Sequence, residues 1–217
     1  MENNAFTGNS RLTPQEIRVL GCLLEKQRTT PDAYPLSLNA LRLACNQSTN
    51  RDPVVDYDEA SIREALHRLQ RRGFTRLASG AGSRAAKYRH LLAQALPIDS
   101  GEQAMICVLM LRGAQTPGEL KQRTERMHAF AELAEVHETL ERLIGRGLVA
   151  RLDRRPGQKE ERYRQLLQSD DGEPTSQATP LGAAPEVEGL EQRVERLERE
   201  VAQLRAAMRN PVGEHDR

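Results

Sequence analysis

Basic side chains recur along one face of the segment 58–72, and they have the clearest chemical potential in this 217-residue sequence. On a helical wheel, Ile62, Leu66 and Leu69 lie on an apolar face. The opposite face and its flanks carry Arg63, His67, Arg68 and Arg71. Guanidinium and imidazole groups bind DNA phosphates and guanine edges. The pattern favours a DNA-reading helix, although the solvated side of an ordinary amphipathic helix would show the same residues.

Two further segments, residues 78–87 and 153–162, combine glycine with basic residues and are predicted to be hairpins. Their basic side chains could touch phosphate or enter a minor groove. In the second segment Glu160 and Glu161 partly cancel the positive charge, so an ordinary charged hairpin is the alternative. The candidate DNA-binding residues of the two hairpins are Arg84, Lys87, Arg154, Arg155 and Lys159.

No pattern of residue types in the sequence indicates catalysis, a metal or a cofactor. The five histidines lack metal-ligand spacing, and the three cysteines lie far apart in segments that are predicted to be helices. No glycine loop with a lysine is present to bind phosphate, and no nucleophile is flanked by a recognisable base. We therefore expect a protein that is not an enzyme, holds no cofactor or metal, and buries its cysteines as small hydrophobic residues.

An internal repeat organises the segments that carry the basic residues. Glu64–Gly73 (EALHRLQRRG) is identical to Glu138–Gly147 (ETLERLIGRG) at six of ten positions. The match resumes at Tyr88–Leu92 and Tyr163–Leu167, which read YRHLL and YRQLL. Each copy is predicted to form an amphipathic helix that ends at a glycine, followed by a strand, a turn and a second strand.

The upstream halves of the two copies share signals for the start of a helix. Thr13–Glu16 is a capping box with proline at the first helical position, Ser100–Gln103 is the corresponding box, and Thr116–Glu119 caps a shorter helix. Residues 38–45 supply a second helix in the first copy, and Asp56–Glu59 caps the third. Three helices followed by a hairpin is the order of a winged helix-turn-helix.

The predicted fold class is therefore mainly α with small β-hairpins (α+β), with two tandem winged helix-turn-helix domains and a C-terminal coiled-coil helix. The domains are residues 12–97, here called the first copy, and residues 98–168, the second copy. The first copy has 13 extra residues between its first and third helices, in the polar loops 29–35 and 46–53. Such loops depart from the tight turn of a simple helix-turn-helix, so the third helix could be presented differently.

The third helix of the second copy lacks a basic face. Arg63, His67 and Arg71 are replaced there by His137, Glu141 and Gly145. Further negative charge comes from Glu132, Glu135 and Glu138. DNA phosphates would be repelled by this face, so we expect double-stranded DNA to be bound mainly by the first copy and the hairpins. The acidic face also supports an alternative, a protein–protein interaction scaffold whose winged-helix domains do not bind DNA.

The string LTPQEIRVLGCLLEKQRTTPDAYPLSLNALRLACNQSTNRDPV at residues 12–54 resembles the signature of the bacterial YceH family, a domain of unknown function. The resemblance covers roughly residues 12–167 and therefore both copies. It implies a tandem winged-helix fold in a soluble bacterial protein. Because it implies no activity and no site residues, the function has to be inferred from the residues themselves.

The formal net charge of +1, from 32 basic and 31 acidic residues, conceals a segregation of charge. Residues 1–99 carry +4, residues 100–168 carry +2 and residues 169–217 carry −5.

The first ten residues, MENNAFTGNS, do not resemble a signal peptide. The longest apolar run, Ala104–Leu111, is too short to span a bilayer, so we expect a cytoplasmic protein without a membrane partner.

The acidic tail is predicted to contain a linker at residues 169–185 and a coiled-coil helix at residues 186–209. Its apolar residues alternate at spacings of three and four, with leucine at every d position. These residues are Val187, Leu190, Val194, Leu197, Val201, Leu204 and Met208. Valine at a with leucine at d favours a parallel two-stranded coiled coil and hence a homodimer. A helix that packs on its own domains, or a solvated helix, is the alternative.

We expect Leu197→Pro to convert a dimer into a monomer. Proline inside a helix removes a backbone hydrogen bond and costs about 3 kcal/mol or more, and position 197 lies in the middle of the predicted seam. Light scattering at micromolar protein concentration measures the mass. Gln203→Ala, at an outward c position, is the control and should remain a dimer. A wild-type protein that is already monomeric would contradict the prediction.

Overall fold

The computed structural model describes residues 11–78, 86–154 and 160–169, which all belong to one compact unit spanning Met1–Gly172. Within these ranges the chain is mixed α and β, with seven α-helices and two small antiparallel sheets. No helix in the described part is both long enough and apolar enough to cross a membrane. Both copies of the repeat therefore contribute to a single core.

The first copy contains four helices and three strands. They are α1 (Pro14–Thr29), β1 (Leu36–Ser37), α2 (Leu38–Cys45), α3 (Glu59–Arg71), β2 (Thr75–Leu77), β3 (Lys87–His90) and α4 (Leu92–Ala95), with a 3-10 turn at Pro31–Ala33. The strands form an antiparallel sheet in the order β1-β3-β2, in which Leu36 lies opposite Tyr88. The second and third helices lie where the sequence pattern predicts them.

The second copy repeats this order with one fewer strand and without a helix that corresponds to α4. It contains α5 (Ser100–Arg112), α6 (Pro117–Thr124), α7 (Leu133–Gly145), β4 (Val149–Leu152) and β5 (Arg162–Gln165). β4 and β5 are antiparallel, and Gln115 forms a single antiparallel bridge with Tyr163. This bridge lies two residues before α6, as Leu36 lies two residues before α2. The two copies therefore follow the same path at this point, although only the first has a third strand there.

Capping boxes begin three of the helices. The boxes of α1 and α6, at Thr13 and Thr116, lie where the sequence places them. The box of α5 begins at Asp99 rather than at Ser100: the Asp99 carboxylate accepts the Glu102 amide at 2.8 Å, and Glu102 accepts the Asp99 amide at 3.0 Å. A carboxylate at this position accepts a hydrogen bond from a free backbone amide, and its negative charge interacts favourably with the positive end of the helix dipole.

The two copies are joined through the contact between α1 and α5. Every residue from Ala104 to Leu111 of α5 is buried, so this helix has apolar neighbours on all sides. Gly21 of α1 lies so close to α5 that a Cβ atom there would be 2.9 Å from Leu111 Cδ2. The Cys107 thiol donates to the Gly21 carbonyl oxygen at 3.3 Å. The close approach of the two helices depends on glycine at this position.

The polar loop after α2 also joins the copies. Arg51, whose side chain is fully buried, binds both carboxylate oxygens of Glu25 at 3.0 and 2.6 Å and the Ala44 carbonyl oxygen at 3.1 Å. The next amide, that of Asp52, donates to the Leu111 carbonyl oxygen at the end of α5, at 2.8 Å. The loop after α2 is therefore held to α1 and α2 by Arg51, and it contacts the second copy through Asp52.

We expect Gly21→Leu to lower the free energy of unfolding by about 1–3 kcal/mol, because extra methylene groups in a well-packed interface force neighbouring side chains to move. Gly145→Ala is the control, since a Cβ atom at this position in α7 meets nothing within 4 Å. This variant should be as stable as the wild type or slightly more stable. Urea denaturation measures all three proteins, and equal stability of the two variants would contradict the prediction.

Candidate nucleic-acid interface

The basic residues predicted on the third helix lie on the solvent side of α3. The apolar side of the helix packs against α1 and α2. The Asp58 carboxylate begins the helix by accepting the Ser61 amide at 2.8 Å. Arg63, His67 and Arg71 follow at intervals of four residues and are all exposed. The spacing therefore places three of the four predicted side chains in one stripe.

Two of the predicted arginines of α3 pair with glutamates one helical turn before them. Arg63 lies 3.8 Å from Glu59, and the Arg68 guanidinium donates to Glu64 at 2.8 Å. This hydrogen bond lowers the pKa of Glu64 and raises that of Arg68. Both pairs are exposed to solvent, where ion pairs add little to stability, so an arriving phosphate could compete for either arginine.

The charge of α3 changes along its length. Its first turn and the residues before it are acidic, with Asp56, Asp58 and Glu59 all exposed. His67 and Arg71, in the second half, form no ion pair with any residue that the structure describes. The second half of α3 is therefore better suited to an anionic partner than the first.

The outer face of the first sheet carries cations that the sequence analysis missed. Arg76 of β2 lies directly opposite Arg89 of β3, and Lys87, which was predicted, is two residues before Arg89. Arg76 and Arg89 form no ion pair with any described residue, while Thr75 and His90 on the opposite face are buried. Like charges directly opposite each other destabilise a sheet. The signal in the sequence was the alternation of basic residues with a period of two.

The hairpin of the second copy differs because Arg151 and Arg154 are paired with glutamates. Arg154, a predicted DNA contact, lies 3.4 Å from Glu161. Arg151 also lies 3.4 Å from Glu161 and pairs with Glu141 of α7. Ala150 replaces the strand arginine of the first copy opposite β5. The second copy therefore presents little uncompensated positive charge on its described strands.

An arginine that recurs in both copies, Arg72 in the first and Arg146 in the second, has a structural role. In the second copy Arg142 and Arg146 lie 3.4 and 3.0 Å from Glu102, the buried glutamate of the α5 capping box. In the first copy Arg72 lies 3.7 Å from the corresponding Glu16 and donates to the Arg11 carbonyl oxygen at 2.9 Å. Each pair ties the end of a third helix to the start of a first helix.

Several of the predicted site residues lie outside the described part of the chain. They are Arg84, Arg155 and Lys159 in the hairpins and Val187, Leu190, Val194, Leu197, Val201, Leu204 and Met208 in the tail. Their roles in DNA binding and dimerisation stay predictions.

A contact between serine and histidine joins the start of α5 to the segment before α7. Ser100 Oγ is 3.2 Å from His128 Nδ1, and His128 Nε2 is 3.9 Å from Glu135, which is too far for a hydrogen bond. The ring of His128 packs edge-on against Phe130 at 4.6 Å. At these distances Ser100, His128 and Glu135 do not form the hydrogen-bonded chain of a hydrolytic triad. Within the described ranges no cluster of three or more acidic, histidine or cysteine side chains could hold a metal ion.

His90, beneath the first sheet, is buried and neutral at pH 7. The Leu92 amide donates to its Nδ1 at 3.3 Å, which places the ring proton on Nε2, and Nε2 donates to Gln27 Oε1 at 2.6 Å. Burial, helped by the charges of Arg28 and Arg89, lowers the pKa of His90 from 6.5 to about 4. The histidine is therefore part of the fold rather than a cationic contact.

The sequence of this chain matches, over residues 12–158, a family described as "Protein of unknown function, DUF480". It is 47% identical over 202 residues to "UPF0502 protein YceH" of Salmonella typhimurium and of Salmonella typhi, covering 89% of this chain and 93% of each relative. It is 45% identical over 205 residues to "UPF0502 protein" of Klebsiella pneumoniae (strain 342), covering 91% of this chain and 94% of that protein.

Acidification should destabilise the wild type more than a His90→Gln variant. Because the pKa of His90 is about 4 when folded and 6.5 when unfolded, only the unfolded chain takes up this proton between those values. The contribution of His90 to stability is complete above pH 6.5 and falls by about 3 kcal/mol as the pH drops to 4. Urea denaturation across this pH range measures the difference.

His67→Gln is the matched control for this prediction, because His67 is exposed on α3. This variant should keep the pH dependence of the wild type. If His90→Gln loses as much stability as the wild type on acidification, the role assigned to His90 is wrong.

Proposed function

Since this chain belongs to the YceH family, we propose that it is a tandem winged-helix protein that binds double-stranded DNA without catalysing a reaction. The order of elements in the first copy, with a short strand between its first two helices and a hairpin after the third, supports this assignment. In the second copy the Gln115–Tyr163 bridge takes the place of the short strand. A transcriptional regulator or a nucleoid-associated protein would have this architecture.

The observation that carries the proposal is the pair of facing arginines, Arg76 and Arg89. Two guanidinium groups opposite each other repel, and neither is neutralised within the described part of the chain. A phosphate oxygen between or beside them would convert this repulsion into charge-assisted hydrogen bonds. DNA supplies phosphates at the regular spacing that such a surface could follow.

The strand cations and the second half of α3 belong to one stretch of chain. α3 ends at Arg71, and the chain turns through Gly73, whose φ of +75° suits glycine, directly into β2. Arg71 and Arg76 are therefore separated by only four residues. We assign DNA binding mainly to His67, Arg71, Arg76, Lys87 and Arg89, with Arg63 and Arg68 recruited from their glutamate partners.

Dimerisation through the tail would add the DNA-binding surface of a partner chain to this weak surface. A coiled coil over residues 186–209 would tether two chains through the linker at 169–185. Tethering raises the effective concentration of the second surface once the first has bound, so the overall affinity exceeds that of either one alone. We therefore propose that the protein acts as a homodimer.

We expect mixed-sequence duplex DNA to bind the wild type with an affinity that falls steeply with salt. In the variant Arg71→Ala/Arg76→Ala, binding should be weaker, and the slope of log K against log[salt] should be smaller by about two, because two phosphate contacts are lost. Fluorescence anisotropy across a series of salt concentrations measures both quantities.

A variant with the same net charge, Arg126→Ala/Arg151→Ala, tests whether the location of the charge matters. Both control arginines lie in the second copy, and Arg151 is already paired with glutamates. This variant should keep the slope of the wild type. Absence of binding at low salt, or equal slopes for the two double variants, would contradict the proposal.

The second candidate function is a protein-interaction scaffold, and the surface of α7 favours it. Glu132, Glu138 and Glu141 are exposed there, and Leu133 at the start of the helix is 44% exposed. An acidic surface with an exposed leucine suits a basic protein better than DNA. A wild type that binds no DNA at low salt would leave this function as the better explanation.

A further inference from the structure

A groove of about 440 Å³ opens where the first sheet meets the two central helices. Its walls come from the end of α1, the segment before β1, the end of β3, α4 and the first turns of α5. The polar side chains used below are Gln27, Arg28, Tyr34 and Arg89, and the groove that they line is here called the donor groove. Its volume lies within the range of small-molecule sites.

The described lining of the donor groove contains two arginines and no carboxylate. Arg28 and Arg89 come from different elements, and neither forms an ion pair with a described residue. Their charges also act on the neighbouring His90, whose pKa they help to lower. An uncompensated positive potential in a concave site favours an anionic ligand.

Hydrogen bonds within the fold leave donors facing the groove. Gln27 Oε1 accepts the proton of His90 Nε2 at 2.6 Å, so the amide NH₂ of Gln27 is the group left to bind a ligand. The Tyr34 hydroxyl oxygen accepts the His90 amide at 2.8 Å, and its own proton is free to be donated. Burial raises the pKa of Tyr34 to about 12, so the hydroxyl keeps this proton.

We propose that the donor groove binds a small molecule carrying an oxyanion, a phosphate or a carboxylate group. Arg28 and Arg89 supply charge from two sides, and the Gln27 amide and the Tyr34 hydroxyl donate further hydrogen bonds. An oxyanion accepts several charge-assisted hydrogen bonds at once, and these four side chains of the groove all offer hydrogen-bond donors. Arg89 is shared with the surface assigned to DNA, whereas Arg28 lies outside it, so the Arg28→Ala variant separates this proposal from DNA binding.

Isothermal titration calorimetry on the full chain tests the proposal with inorganic phosphate, pyrophosphate and adenosine monophosphate in one arm, and with succinate and citrate in the other. We expect saturable binding in at least one arm, and the arm that binds identifies the oxyanion. Arg28→Ala and Arg89→Ala should each weaken that binding about tenfold or more, since each removes a hydrogen bond between charged groups.

Arg126→Ala is the matched control, because Arg126 is an exposed arginine outside the donor groove, and it should bind like the wild type. Heat from sodium chloride at equal ionic strength gives the baseline. The proposal is overturned if no probe exceeds this baseline, or if all three variants weaken binding equally. It is also overturned if Arg28→Ala changes only the affinity for duplex DNA, which would make the groove part of that interface.

Discussion

The contact between α1 and α5 is the constraint on which the rest of the structure depends. The two helices approach so closely at Gly21 that a side chain there would collide with Leu111. As a result, α5 has no solvent face between Ala104 and Leu111, and the two copies share one core. Backbone hydrogen bonds from Asp52 to Leu111 and between Leu12 and residues Leu167 and Ser169 add to this contact.

The two copies differ more clearly in how many of their basic side chains are paired with glutamates than in their net charge. The net charges of +4 and +2 differ little, yet in the second copy Arg151, Arg154 and Arg162 are each paired with a glutamate. In the first copy Arg76 and Arg89 face each other, and no residue that the structure describes pairs with either of them. A repulsive pair that the fold itself does not relieve is a reason to expect an external anion. The DNA-binding proposal arises from this asymmetry, and Arg89 links it to the donor groove.

The sequence alone predicted most of the local structure. Glycine stops, capping boxes and the repeat placed α1, α2, α3, α6 and the two hairpins, because these signals act within a few residues. The start of α5 was placed one residue late, since Asp99 and Ser100 can both cap a helix and only the backbone geometry selects Asp99. The apolar face of α3 could also be predicted from the sequence. The helical period then placed Arg63, His67 and Arg71 on the solvent side of the helix.

What the sequence could not provide were the contacts between distant segments. The pairing of Arg76 with Arg89 depends on the register of two strands, and the donor groove needs α1, β3 and α5 together. Arg51 looked like one residue of a polar loop, but its side chain is fully buried against Glu25. The sequence by itself determined where most of the helices and both hairpins lie, and that the outer side of α3 is basic. Only the tertiary structure decided which charges are neutralised, because neutralisation depends on distances between side chains that are far apart in the chain.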